Sequence, residues 1–330
     1  MLKRLLYCCI IIFSLPACKK DDPQASLSKI TIGPGPEDIV YDAANNRLLV
    51  SCNERRTGYP YHGEIWQLDL NTDATSVLPR VDFPDGMPFF PHGFDLQTVD
   101  GQLYLYVINH HHDADEVTTI DRFKVNADNL EYNRSFSSRL LISPNDLTVV
   151  SDGSFYWSND KGSTNLLDLV TKPYSGSIGY CNGEDTYKKV DSVLMYPNGL
   201  FNEHGKLYLA TSRNKALFTY NIQPDGSLQN RTLLNPIDGM DNITDAGDEL
   251  IVAVHPDILK FVALSLDPTL LSPCKTYAIN KTTGASTLLF QTDGSMISGA
   301  STSQVVGDNL YMGQVFGDFL LKISHYRSTK

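Results

Sequence analysis

Residues 197–211 read Pro197-Asn198-Gly199-Leu200-Phe201-Asn202-Glu203-His204-Gly205-Lys206-Leu207-Tyr208-Leu209-Ala210-Thr211. A small polar pair opens the stretch and a strand-like run follows. His204-Gly205 supplies a turn, and a second run rich in Leu and Tyr leads back. The same order recurs along the chain. The openings are Glu37-Asp38-Ile39, His92-Gly93-Phe94, Asn145-Asp146-Leu147, Asn198-Gly199-Leu200, Asp241-Asn242-Ile243 and Gly299-Ala300-Ser301. They are separated by 55, 53, 53, 43 and 58 residues, near the ~50-residue period of long propeller blades. Second runs follow at Arg47 to Ser51, Gln102 to Ile108, Ser154 to Ser158, Lys206 to Thr211, Glu249 to Val254 and Asn309 to Gly313. No long amphipathic helical stripe competes with this pattern. The expectation is an all-β fold, a six-bladed β-propeller, rather than a β-sandwich. The last blade lacks an obvious fourth strand near the C-terminus. The segment from Leu27 to Ile32 is expected to supply it and close the ring.

The chain has 330 residues and a formal net charge of −11 with no basic stripe. Such a surface repels phosphate backbones, so nucleic-acid binding is excluded as an expectation. At the N-terminus, Lys3 and Arg4 precede an apolar run from Leu5 to Leu15, too short to span a bilayer as a helix. Leu15-Pro16-Ala17-Cys18 then reads as a bacterial lipobox. The expected organisation is a signal peptide over 1–17, a tether over 18–26 and the propeller over 27–330. Cys18 would be acylated, giving an exported protein held at a membrane, with the outer membrane as the expected location. Cys52, Cys181 and Cys274 remain, so at most one disulfide can form, and three buried free thiols are an equal alternative.

In a propeller the first strand of each blade lines the central channel. The openings therefore bring Glu37, Asp38, His92, Asn145, Asp146, Asn198, Asp241 and Asn242 to one mouth. Asn-Asp and Asn-Gly pairs are common turn formers, and alone each is weak evidence. Their recurrence at the same phase in five blades is stronger. Carboxylates and amides together offer the hard oxygens that Ca²⁺ takes, and a buried ring of them is costly without a cation. Zn²⁺ and its neighbours would want Cys or several His.

Nine stretches carry a more specific resemblance. They are Gly35-Pro36-Glu37-Asp38-Ile39, Pro91-His92-Gly93-Phe94, Val107-Ile108-Asn109-His110, Asn145-Asp146-Leu147, Phe155-Tyr156-Trp157-Ser158-Asn159-Asp160, Pro197-Asn198-Gly199-Leu200, Asp241-Asn242-Ile243, Val254-His255-Pro256 and Gly313-Gln314-Val315-Phe316. In this order they resemble the paraoxonase family of calcium-dependent lactonases and arylesterases. The resemblance implies two calcium ions in the channel. Glu37, Asn145, Asn198, Asp241 and Asn242 would hold a catalytic ion. Asp38, Asp146 and the backbone carbonyl of Phe94 would hold a deeper, structural one. Adjacent residues can serve two ions only where the strand is distorted, because neighbouring strand side chains point to opposite faces. The resemblance further implies His92 as the base that activates water, with His110 orienting it. Asp160 is an alternative acid or base, and His255 would line the pocket. His111 and His112 are expected on a solvated loop.

The implied activity is hydrolysis of a small ester or lactone, the cation polarising the carbonyl. No Gly-x-Ser-x-Gly elbow supports a serine hydrolase. Two departures stand out: Gly317 to Lys330 lacks the Cys with which animal members tie their ends, and Lys161 follows Asp160. Two other readings stay open. One is a gluconolactonase-type propeller with a single metal, against which the paired Glu37-Asp38 and Asn145-Asp146 argue. The other is a surface propeller that uses calcium for rigidity and binds a partner without catalysis.

Overall fold

The computed structural model describes residues 25–56, 63–110, 118–163 and 171–329. The leader, Cys18, His111 and His112 lie outside the described residues. The strands form six small, mainly antiparallel sheets, four of which run in sequence order from the innermost strand outward. The innermost strands are Pro36–Asp42, Pro91–Val99, Pro144–Val149, Pro197–Glu203, Met240–Ala246 and Thr302–Val306. Each touches the next, and the sixth touches the first, so the ring is closed. This is the six-bladed β-propeller expected from the repeat. Ser26–Thr31 pairs antiparallel with Phe319–Ser324, register Ser26↔Ser324 to Thr31↔Phe319, and completes the sixth blade.

The hydrophobic core is divided into six clusters, one at each junction between blades. Period-2 alternation explains this. In Gln102–Asn109, Leu105 and Val107 pack against Leu49 and Ile65 of the first blade. Tyr106 and Ile108 point the other way, to Phe155 and Trp157 of the third. Strands covered on both faces read as continuous apolar runs, which is why Arg47–Cys52 is buried along its whole length. Cys52, Cys181 and Cys274 sit in these clusters as separate buried thiols. Burial pushes the Cys274 thiol up to about 11, away from the reactive thiolate.

Two elements were not anticipated. Arg80–Val81 adds a short fifth strand, parallel to Leu130–Ser137, at the outer edge of the second blade. The helix Ile258–Leu266 interrupts the fifth blade between its second and third strands. Asp257 caps it by accepting from the Lys260 amide at 3.1 Å, and Asp267-Pro268 ends it.

Candidate active site at the channel mouth

Five of the six innermost strands lose register at their openings. The shifts fall at Pro36/Asp38, Pro91/Phe94, Pro144/Leu147, Pro197/Leu200 and Met240/Ile243. A bulge re-aims side chains that regular pleating would send to opposite faces. The distortion that paired residues such as Glu37-Asp38 require is therefore built into the backbone. Two glycines let neighbouring bulges nest. A Cβ on Gly93 would lie 2.4 Å from the Asn145 carbonyl oxygen, and one on Gly199 2.5 Å from that of Asp241. Only a hydrogen fits at either place.

Glu37 is buried and joined across the ring. Its Oε1 accepts from Asn242 Nδ2 at 3.1 Å and lies 3.6 Å from His92 Nε2, while Arg55 stands 3.9 Å from Oε2. Burial opposes its charge, but His92, Arg55 and Asn242 outweigh that and hold the carboxyl below the usual range. The sixth blade contributes seating instead of ligands. Ser301 Oγ donates to the Glu37 carbonyl at 2.6 Å, and the Asn242 amide donates to the Ser301 carbonyl at 3.1 Å.

The oxygens of this ring are under-used. Among the described residues, Glu37 Oε2, Asn145 Oδ1, Asn198 Oδ1 and Asn242 Oδ1 are buried without a hydrogen-bond partner. Buried polar atoms of native proteins are nearly always paired, and each orphan costs about 1–3 kcal/mol. Four at the openings of four blades, three of them at the same phase and Asn242 one residue further along, form a concentration of bare acceptors. All are oxygens, the donor set that fits calcium. Among the described residues no three His, Cys, Asp or Glu side chains gather as metal ligands, so any cation here would rest largely on amide oxygens.

Asp38 and Asp146 lie one residue further along and are used differently. Asp38 Oδ1 accepts from the Ile39 amide at 2.8 Å and Oδ2 from the Phe94 amide at 3.1 Å. Asp146 likewise takes the amides of Leu147 at 2.7 Å and Leu200 at 2.6 Å. Each carboxylate thus links its blade to the next. At Phe94 the structure shows the N–H facing Asp38, whereas the sequence resemblance gave that residue a role through its carbonyl. Burial drives both carboxyls well above the usual range, with Glu37's charge adding at Asp38 and Asp38's at Asp146. Beyond this layer the channel continues as a cavity of about 270 Å³ lined by all six innermost strands.

Three histidines stand near the mouth, two of them against one another and the third against Asp241. His92 Nδ1 lies 2.9 Å from His110 Nε2, with ring centroids 5.0 Å apart. The strand end carrying His110 is braced by Asn109, which accepts from the Phe90 amide at 2.8 Å and donates to Asp121 Oδ2 at 2.8 Å. His255 is placed more specifically than pocket lining: its Nε2 lies 2.6 Å from Asp241 Oδ2, buried, on the ring of Phe261. Asp160 sits apart. It accepts from Ser143 Oγ, and Lys161 Nζ lies 3.4 Å away. Burial first, and the Asp160 charge second, push the Tyr196 phenol up to about 12. Among the described contacts nothing joins Asp160 to Glu37, His92 or the asparagines. Arg55 and Ser301 were not singled out in the sequence. The signal for Ser301 was its phase in the repeat. Arg55 gave none, since its three carbonyl partners, on Gly35, Asn53 and Pro91, appear only after folding.

Comparison with known proteins agrees with this architecture. The arylesterase family pattern matches residues 57–321. Serum paraoxonase/arylesterase 2 of Gallus gallus is 26% identical over 270 residues, covering 77% of this chain and 75% of that protein. Serum paraoxonase/lactonase 3 of Homo sapiens is 24% identical over 276 residues, with the same coverage. Among solved structures, a luciferin-regenerating enzyme superposes with a TM-score of 0.60 at 13% identity, covering 91% of this chain and 95% of its own. A gluconolactonase from Xanthomonas campestris gives 0.59 at 17%, covering 91% and 89%. At these identities the two structures speak for the fold alone.

Proposed function

This chain belongs to the arylesterase family, and from that premise we propose that it is a calcium-dependent hydrolase of carboxylic esters or lactones. One observation carries the calcium reading: the four bare, buried oxygens of Glu37, Asn145, Asn198 and Asn242 at the channel mouth. With Asp241 they are the residues that would hold a catalytic ion. When bound there, calcium supplies a Lewis acid for a carbonyl oxygen and for the negative charge that develops on it. Asp38 and Asp146, two buried carboxyls that burial drives above the usual range, are the place for a second, structural ion, with the Phe94 carbonyl as its third ligand.

The chain's own groups do the rest. His92 is the base that takes a proton from water, its Nε2 facing the ring beside Glu37. His110, against Nδ1, fixes the orientation of the His92 ring and shares the charge. Asp160 is placed for a lesser part, since its carboxylate is already engaged by Ser143 and Lys161. The bulged strands hold Glu37, His92 and the amide oxygens on a rigid ring, so little reorganisation is needed when substrate arrives. The proposal extends to export and acylation at Cys18, tested by loss of labelled fatty acid in Cys18→Ser.

The test is hydrolysis of a phenyl ester and an aliphatic lactone, with calcium and after chelation, by wild type, Asn198→Ala and Asp241→Ala. Turnover that needs calcium and collapses in both variants supports the proposal. A protein that calcium stabilises but that turns over neither substrate refutes the hydrolase reading and leaves a binding propeller.

A further inference from the structure

We propose that His255 is a positioning residue: it holds Asp241, and through it the only carboxylate besides Glu37 in the candidate catalytic ion site. The inference deepens the calcium reading above and rests on it.

The geometry is specific. Asp241 Oδ2 and His255 Nε2 are 2.6 Å apart, and the two residues are each 5% exposed. The bond leaves Oδ1 as the carboxylate oxygen for a cation. If Nε2 is the donor, Nδ1 carries the lone pair, and Nδ1 is buried with no partner. A histidine that ties two elements together spends both nitrogens. This one spends a single nitrogen, on a residue of the ring. Its imidazole is otherwise fixed by packing, with its centroid 4.2 Å from that of Phe261. Phe261 belongs to the helix Ile258–Leu266, which packs down on Gly299, where a Cβ would lie 3.0 Å from Leu264 Cδ2. The backbone is pinned as well. The His255 amide donates to the Gly239 carbonyl at 2.7 Å, and a Cβ on Gly239 would meet the His255 carbonyl oxygen at 2.1 Å. Backbone, ring and aromatic neighbour all lock one rotamer, whose single polar product is the bond to Asp241. A carboxylate fixed in this way reaches a cation without first giving up side-chain freedom. Such outer partners of metal ligands typically matter about 10–100-fold in affinity.

The experiment measures calcium affinity by chelator competition, in wild type and in His255→Gln, His255→Asn and His255→Phe. The Gln amide nitrogen reaches the place of Nε2, and the Asn amide only that of Nδ1. The expected result is a calcium affinity weakened about 10–100-fold in the Phe and Asn variants and restored by Gln. Thermal unfolding in chelator checks that each variant folds. If the Phe variant does not, the comparison of Gln with Asn still decides. All folded variants binding calcium as wild type does would overturn the inference. So would a Gln variant no better than Asn. Wild type that binds no calcium would instead bring down the reading beneath it, a distinct outcome of the same titration.

Discussion

Replacing Gly93 by Ala tests whether the nested bulges hold the ring of oxygens in place. The added Cβ would lie 2.4 Å from the Asn145 carbonyl oxygen, 2.7 Å from Asp146 Cα and 2.8 Å from Asp146 Oδ1. Ordinary contact begins near 3.4 Å. The third blade must therefore retreat by about 1 Å at the point where Asn145 and Asp146 leave the backbone. The obstacle is backbone, so no side-chain rotation relieves it. Overpacking of this kind costs about 1–3 kcal/mol. A displacement of ~1 Å in a functional constellation costs on the order of 100-fold in rate. Gly93→Ala is thus expected to unfold a few degrees lower, to bind calcium more weakly and to lose ester turnover far beyond its loss of stability. The controls are Gly205→Ala and Gly247→Ala, where a Cβ meets nothing within 4 Å and only the positive φ is strained. They should lose comparable stability and keep activity. A Gly93→Ala protein with wild-type calcium affinity and turnover would refute the reasoning.

Three further perturbations have expected outcomes. Asn145→Leu removes a bare buried oxygen: in chelator its melting temperature should equal or exceed wild type, while the calcium-induced rise, ~2.7 kcal/mol at 100 times Kd, should vanish. Ile30→Ala, in the closing strand and buried against the first blade, should cost about 2–5 kcal/mol in denaturant unfolding, whereas Leu27→Ala at 47% exposure should cost little; equal costs would argue against the closure described. Burial pushes the Asp95 carboxyl up to about 6, against its bonds from the Val149 and Leu96 amides and Thr148. The folded chain therefore binds this proton more tightly than the unfolded one, whose carboxyl titrates near ~4. Asp95 stabilises most fully below about 4, and that contribution is lost as pH rises through about 6. Asp95→Asn should gain on wild type across this window in calcium-free unfolding curves, and a difference that is flat with pH would contradict the assignment.

The blades were legible because their signals are local. Two-residue alternation and turn pairs such as Asp100-Gly101 mark strands wherever the chain goes, and the polar openings mark the phase. The missing fourth strand of the last blade pointed to Leu27 to Ile32 by elimination, and the strand found there runs Ser26–Thr31. The bulges were not legible, because a two-against-one pairing leaves no mark in composition. Only the requirement that Glu37 and Asp38 act together hinted at distortion. The bond from Asp38 to the Phe94 amide spans two blades and depends on their offset, which no local pattern encodes. His255 and Asp241 illustrate the boundary. Asp241 lies on one of two paired strands and His255 just past the end of the other, where Met240 faces Val254, so proximity could be counted from the Gly247-Asp248 turn. That their side chains meet follows from the bulge after Met240, and that could not be counted. The helix Ile258–Leu266 carried ordinary start and stop signals in Asp257 and Asp267-Pro268, and was missed because strand periodicity dominated its surroundings.

The sixth blade takes its outer strand from one end of the chain and the other three from the opposite end. On a ribosome, the first strand synthesised must wait for the last one before it has a partner. Joining segments almost 300 residues apart carries a closure entropy about six doublings of loop length above that of a hairpin, on the order of 4 kcal/mol. Five blades can stack while this seam is still open. The contact between Asn242 and Glu37, and the seat that Ser301 makes for Glu37, arise only when the first blade meets the last two. An ion held by that ring would therefore act as a clasp, taken up when the seam shuts and making its reopening slow.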